Sequence, residues 1–223
     1  MPDDDAALPA RDQLAHLAAR GVRWPWRSPS GATVMRRSAV LVLFGVLDDV
    51  PAQHRAAAVP ASLDVLLTRR SDTLEHHPGQ VSFPGGGIDP DDDGIVGAAL
   101  REAVEETGLD VSGVEVLGAL DPLPLIASDN LVHPVLAWWA SPSPVRAADP
   151  AETADAFRAP VADLLNTAHR RSVRGPGWSS PAFLVPGAAG HVVWGFTAMV
   201  LDRLFDELGW TEPWDRTREI PRP

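Results

Sequence analysis

Residues 87–109, GIDPDDDGIVGAALREAVEETGL, run from a glycine-headed acidic loop directly into a helix crowded with carboxylates. At about 3.6 residues per turn, Glu102 and Glu106 stack one above the other, and Glu105 lies on the neighbouring edge. Like charges at this spacing repel one another and weaken an isolated helix. The ordinary fate of a Glu-rich run is a solvated face. Three carboxylates on one strip also suit a cation that relieves the repulsion, and the flanking residues favour that second reading. Upstream, Val81-Ser82-Phe83 is a short apolar strand that enters Gly85, Gly86 and Gly87, where missing Cβ atoms let the backbone approach a ligand closely. Downstream, Gly108 suits the position that ends a helix. Oxygen ligands in a chain without cysteine select a hard ion, Mg²⁺ or Mn²⁺.

The spacing resembles the signature of the Nudix hydrolases: Gly, five residues, Glu, seven residues, then Arg-Glu-apolar-x-Glu-Glu-x-Gly-apolar. Gly87, Arg101, Glu102, Ala103, Glu105, Glu106, Gly108 and Leu109 match in place. Asp93 stands where the pattern has its first Glu. Its expected role is to cap the helix, accepting the backbone N–H of Ile95 or Val96. A second stretch resembles the extra motif of the coenzyme A pyrophosphatase branch. Leu66-Leu67-Thr68-Arg69-Arg70-Ser71 is followed at the branch spacing by Gly79 and by Phe83-Pro84-Gly85-Gly86. Here too one position departs: Glu75 replaces an arginine, a charge reversal at a candidate phosphate contact.

The resemblance implies an α+β fold, an α/β/α sandwich with a Nudix-type mixed sheet between helices. It implies metal-dependent hydrolysis of the pyrophosphate of coenzyme A or its derivatives, releasing 3′,5′-ADP and 4′-phosphopantetheine. The alternatives are another nucleoside diphosphate derivative (ADP-ribose or a dinucleotide) or a nucleotide-sensing module without turnover. Glu102 and Glu106 are the first candidates for direct metal ligands. Glu105 is the third, directly or through water, and the Gly87 carbonyl is a further ligand by analogy with the family. Arg101 is expected to pair with Glu105 or a loop acid and so position the carboxylates. The general base is open between a ligand glutamate and a loop acid, Asp121 or Asp129, although aspartates in such loops are usually turn formers. The candidate substrate contacts are Arg70, His77, Gly85 and Gly86. Strand alternation lets only one of Arg69 and Arg70 face the substrate side, and the branch pattern favours Arg70.

Composition narrows the classes further. The 223 residues carry a net charge of −11, which argues against a nucleic-acid partner, since such binding rests on neutralising phosphates. A small anionic nucleotide remains compatible when a cation and local arginines meet it. The absence of cysteine excludes disulfides, thiolate catalysis and zinc–sulfur sites. No apolar run reaches the roughly 20 residues that span a bilayer. The acidic start, MPDDDAALPARDQ, is unlike a secretory signal, so cytoplasm is the default location.

The expected domains are an N-terminal extension over 1–35 with an appended helix at 11–20, a Nudix domain over 36–210 and a loose tail over 211–223. Strands are expected at 38–46, 63–69, 81–83, 114–120 and 131–139. A hairpin is expected from 182–185 and 191–194. Helices are expected at 94–107, 161–167 and 196–208. Residues 24–29, 48–60 and 141–152 read as loops. Of the eight tryptophans, Trp194 is expected in the core, and an exposed one is more suited to core or homodimer packing than to stacking a base.

Overall fold

The computed structural model describes residues 9–25, 36–46, 52–125, 129–175, 177–186 and 190–223. Parts of the expected loops at 24–29 and 48–60, and most of the expected hairpin turn, lie outside these residues. In chain order the elements are α1 (Ala10–Arg20), β1 (Arg36–Val46), β2 (Leu63–Arg70), β3 (Val81–Ser82), β4 (Gly85–Gly87), α2 (Gly94–Thr107), β5 (Val114–Ala119), β6 (Leu123–Leu125), β7 (Asn130–Trp139), β8 (Thr153–Pro160), α3 (Val161–Leu165), β9 (Arg170–Gly175), β10 (Trp178–Leu184), β11 (Val192–Val193), α4 (Gly195–Glu207) and β12 (Glu219–Ile220).

The apolar run of β1 makes it the centre of the large sheet. Leu41, Val42, Leu43 and Phe44 are fully buried, as expected of a strand covered on both faces. The order is β3-β2-β1-β7-β5, with β4 beside β1, β6 beside β7 and β8 beside β2. β1 and β7 run parallel from Arg36↔Asn130 to Gly45↔Trp139, and the other pairs in this sheet are antiparallel. Gly45 permits the close pairing at its end, since a Cβ there would lie 2.8 Å from that of Trp139.

Alternation along the strands divides the interior in two. Ala39, Leu41, Leu43, Leu66, Val135 and Ala137 face α2 and meet its Ala98, Ala99 and Ala103. Val42, Phe44, Val65, Leu67 and Leu136 face the other way, onto Leu14 and Leu17 of α1, Leu164 of α3 and Leu201, Leu204 and Phe205 of α4. A mixed sheet between helices is therefore the α+β sandwich expected. No helix among the described residues is long and apolar enough to cross a membrane.

Five strands were not expected from the sequence: the three-residue β4 and β6, and β8, β9 and β12. β8 (TADAFRAP) is alanine-rich with weak alternation, yet it pairs along β2 from Asp64↔Pro160 to Arg70↔Thr153. β9 (RRSVRG) carries three arginines but pairs with β10 on one side and β12 on the other, in a second sheet of order β11-β10-β9-β12. β12 belongs to the stretch expected to be a loose tail, and that expectation is corrected. Trp210 is buried and donates Nε1–H to Gln13 Oε1 at 2.7 Å. Ile220 pairs with Val173, and Ser172 Oγ donates to the Arg216 carbonyl at 2.8 Å. The fully buried Arg170 pairs with Asp202 and lies against the rings of Phe183 and Trp214, 4.3 and 4.5 Å from their centroids. A strand of two residues has no periodicity to read, and Trp214 anchors the stretch against Arg170.

Candidate active site

The carboxylate helix follows from the Asp-rich loop. Gly94 opens it at φ 65° and Gly108 ends it in the left-handed region, its N–H donating to the Val104 carbonyl at 2.8 Å. Three alanines on the buried face bring α2 close to β1 and β4. The glycine strand β4 is held antiparallel to β1 through Ser38↔Gly87, Ala39↔Gly86 and Val40↔Gly85. Glu102 consequently rests directly on it. A Cβ on Gly86 would lie 2.5 to 2.7 Å from all three carboxyl atoms of Glu102, so only glycine leaves room for this side chain. One turn on, Glu106 Oε2 accepts the Gly85 N–H at 3.3 Å.

Both carboxylates are poorly solvated. Burial pushes the Glu106 carboxyl up to about 7; the Gly85 N–H and the charge of Arg70 oppose this, while repulsion from Glu102 adds to it. Burial likewise raises Glu102, against the pull of Arg101. Two stacked, under-compensated carboxylates beside an open glycine backbone fit a hard divalent cation, which Mg²⁺ chemistry holds with one or two carboxylates plus substrate phosphates.

Arg101 ties the region together. Its Nε and Nη2 donate to the two oxygens of Asp92 at 2.8 and 3.0 Å, and Nη2 also donates to the Gly87 carbonyl at 3.0 Å. Nη1 donates to Glu102 Oε1 and Glu105 Oε2, each at 3.0 Å. Both sequence alternatives for this arginine, Glu105 and a loop acid, are thus occupied at once.

One expectation is corrected here, the Asp93 cap. Glu105 is the most open of the three glutamates: its side chain is 58% exposed and shares Arg101 Nη1 with Glu102. Among the described residues, no three His, Asp or Glu side chains are already gathered round a single cation position. The geometry joins Glu102, Glu106 and the glycine strand, and leaves Glu105 on the rim. Asp93 occupies the N-cap but makes no side-chain cap hydrogen bond; its ψ of 64° lies outside the extended conformation in which a cap side chain reaches the helix amides. The working loop acid is Asp92. Its carboxyl is held below the usual carboxylate range by Arg101 first and by the Asp89 N–H second. The run DPDDD offers four aspartates with nothing in the pattern to choose among them.

Arg70 faces the α2 side, where its charge reaches Glu106, and its buried Nε has no hydrogen-bond partner among the described residues. Arg69 turns the other way, to an ion pair with Asp72 and to a pocket that also takes His76 and His77. His77, in the left-handed region at φ 56°, is therefore not brought to the carboxylates. Asp121 and Asp129 use their carbonyls, which accept from Trp24 Nε1 at 2.7 Å and from the Arg36 N–H at 2.9 Å, as turn residues do. A group absent from the sequence reading is His133. It pairs with Ala39, the partner of Gly86, so it lies on the same row of the same sheet face. Its Nε2 is buried without a partner among the described residues, and burial, then Arg37, lowers its pKa. A histidine inside the apolar run LVHPVLAWW was the available signal.

Known proteins share the family pattern and the fold. The NUDIX domain pattern matches residues 52–194. A Nudix hydrolase NudL of Photorhabdus laumondii is 37% identical over 146 residues, 65% of this chain and 76% of that one. A NudL of Shigella flexneri is 36% identical over 169 residues, 72% of this chain and 86% of its own. Among solved structures, the Nudix hydrolase RenU of M. smegmatis aligns with a TM-score of 0.51 at 18% identity, over 85% of this chain and 96% of that one. A MutT/nudix family protein of Enterococcus faecalis aligns at 0.52 with 15% identity, over 82% and 65%.

Proposed function

The chain belongs to the Nudix hydrolase family, and from that footing we propose that it cleaves the pyrophosphate bond of coenzyme A or a derivative, using Mg²⁺ or Mn²⁺. It is a pyrophosphohydrolase that acts on a nucleoside diphosphate derivative. The stacked pair Glu102 and Glu106 over Gly85 and Gly86 carries the hydrolytic reading. The match of residues 66–86 to the branch motif supports the substrate.

Hydrolysis joins a water oxygen to one phosphorus and breaks that phosphorus's bond to the bridging oxygen, which leaves on the other phosphate. With coenzyme A the products are 3′,5′-ADP and 4′-phosphopantetheine. When bound, the divalent ion neutralises phosphoryl charge and acidifies a coordinated water. Glu102 and Glu106 would hold it. Arg101 fixes the Glu102 carboxylate and, through Asp92 and the Gly87 carbonyl, ties the acidic loop to the helix. Arg70 offers its unpaired Nε–H to a phosphoryl oxygen beside Glu106.

Glu75, in place of the branch arginine, favours a second reading in which the substrate is another nucleoside diphosphate, such as ADP-ribose or a dinucleotide. Incubation with Mg²⁺ or Mn²⁺ and a panel of coenzyme A, ADP-ribose, NADH and dinucleoside polyphosphates separates the two. Release of 3′,5′-ADP from coenzyme A at the highest kcat/KM is expected. Cleavage of ADP-ribose with coenzyme A untouched defeats the first reading.

A further inference from the structure

Hydrolysis needs a group that takes the proton of the attacking water, and most acids near the site are already committed. Glu102 and Glu106 face the ion position over the glycine strand. Glu105 and Asp92 are held by Arg101. Asp121 lies beside Gly21 at the end of α1, the helix that covers the opposite face of the sheet, and Asp129 backs onto Arg36. The histidines are no better placed. His76, His77 and His191 line the pocket beyond Arg69 together with Trp194, which is thereby a pocket wall and not the core residue its apolar neighbours suggest. His133 is buried across β1 from the glycine strand.

Glu152 is left, at the end of a connection that reads in the sequence only as a loop. Leaving β7, this connection passes the open carbonyl end of α2, where the Arg146 and Ala148 N–H groups donate to the Thr107 and Glu106 carbonyls, each at 3.0 Å. It then turns at Asp149. The Asp149 side chain accepts the Ala151 N–H at 2.8 Å, and its carbonyl accepts the N–H groups of Glu152 and Thr153 at 3.1 and 2.8 Å. The Glu152 carbonyl accepts the Ser71 N–H at 2.9 Å, and Thr153 pairs with Arg70 where β8 meets β2. The backbone of Glu152 is thus pinned between the Asp149 turn and the residue after Arg70, while the same loop, four residues earlier, is pinned to Glu106 itself. The Glu152 side chain is exposed and has no hydrogen bond or ion pair among the described residues. Its charge reaches Glu106, adding to the repulsion from Glu102. Yet no three acids among the described residues are gathered round one cation position, so Glu152 stands beside the ligand pair without joining it.

We propose that Glu152, held by its backbone next to Arg70 and Glu106, is the general base of the hydrolysis. Its carboxylate takes a proton from the water whose oxygen bonds to phosphorus, while the bond from that phosphorus to the bridging oxygen breaks and its electron pair leaves on the other phosphate. Exposure lets the proton pass to solvent after each turnover. The work is divided between elements: α2 supplies the carboxylates for the ion, and the turn before β8 supplies the one for the water. The inference rests on Glu102 and Glu106 as the ion-holding pair, and not on which nucleoside diphosphate derivative is cleaved.

The test places E152Q and E152A in the full chain and uses Mg²⁺ with whichever of coenzyme A, ADP-ribose and NADH the wild type cleaves fastest. E152Q lowers kcat about 10²- to 10⁴-fold, the usual contribution of a general base, and leaves KM within about threefold. Formate restores part of the kcat of E152A in proportion to its concentration and does nothing for the wild type, a rescue that a structural role would not show. Electron paramagnetic resonance of Mn²⁺ supplies a readout without turnover: E152Q binds the ion as the wild type does, and E106Q binds it more weakly. A kcat for E152Q within about threefold of wild type overturns the assignment and leaves hydrolysis standing. Loss of Mn²⁺ binding in E152Q overturns it in favour of a metal ligand, and a low kcat in E152A that formate does not lift overturns it in favour of a structural residue. A wild type that cleaves none of the three substrates sinks the hydrolytic reading, and the base with it.

Discussion

Replacing Glu106 by Gln separates the cost of its charge from its use. Glutamine keeps the size and an acceptor for the Gly85 N–H, and removes a carboxylate that the fold holds at about 7 instead of 4.5. A folded-state pKa above the unfolded one means that the native protein binds more protons between those values. Stability contributed by the protonated form is therefore complete below about pH 4.5 and disappears as pH rises to about 7. At about 1.4 kcal/mol per pKa unit, the ionised group costs the metal-free protein on the order of 3 kcal/mol at pH 8. For a chain of this length that is at most roughly 6 to 12 °C in Tm. Urea unfolding of both proteins in EDTA, at pH 4 and pH 8, measures it: E106Q and wild type are nearly equal at pH 4, and E106Q is the more stable by up to about 3 kcal/mol at pH 8. Asp64, the other carboxyl that burial holds at about 7, is common to both and cancels. Saturating Mg²⁺ reverses the order, stabilising wild type and not E106Q, whose kcat falls by orders of magnitude. A stability difference that stays constant across this pH range refutes the desolvation argument. Equal stabilisation of both by Mg²⁺ refutes Glu106 as a ligand.

Other outcomes follow from the same geometry. R101K keeps a charge but not the paired contacts to Asp92; a loss of about 10- to 100-fold in kcat/KM with unchanged far-UV circular dichroism is expected, and near-normal turnover would make the arginine dispensable. G86A drives a methyl to within 2.7 Å of the Glu102 carboxyl, which must shift by about 1 Å; kcat/KM falls about 100-fold, while Tm changes by less than about 4 °C because a side-chain end can move. Asp64, buried with both oxygens unpartnered among the described residues, costs stability when ionised. D64N is therefore more favourable relative to wild type at pH 8 than at pH 4, a trend that paired thermal melts check.

What was legible in the sequence is what repeats or is punctuated. β1 announces itself by an uninterrupted apolar run, α2 by glycine at both ends and carboxylates at helical spacing, and α4 by apolar residues at 3.6-residue intervals. β8, β9 and β12 have no such period. Their residues owe strand conformation to the partners that the tertiary fold supplies, β2 for the first and a three-strand neighbourhood for the other two. Propensity yields to such context, most readily in short strands. The buried Arg170 shows why: a charge in a central strand reads as surface until Asp202, Phe183 and Trp214 are brought round it from three distant parts of the chain.

The site divides along the same line. Spacing along one helix was enough to stack Glu102 on Glu106, because both belong to one rigid element. It also put Glu105 on the adjoining edge, but spacing cannot say which of two neighbours a guanidinium will take. Arg101 has five donors, and the acidic loop returns Asp92 to within reach of two of them. Once Arg101 is so anchored, its Nη1 spans Glu102 and Glu105 together, with Glu102 against the glycine strand and Glu105 on the exposed side. The signature arginine accordingly fixes Glu102 and Glu105 from one side, while Glu106 is placed by the Gly85 N–H.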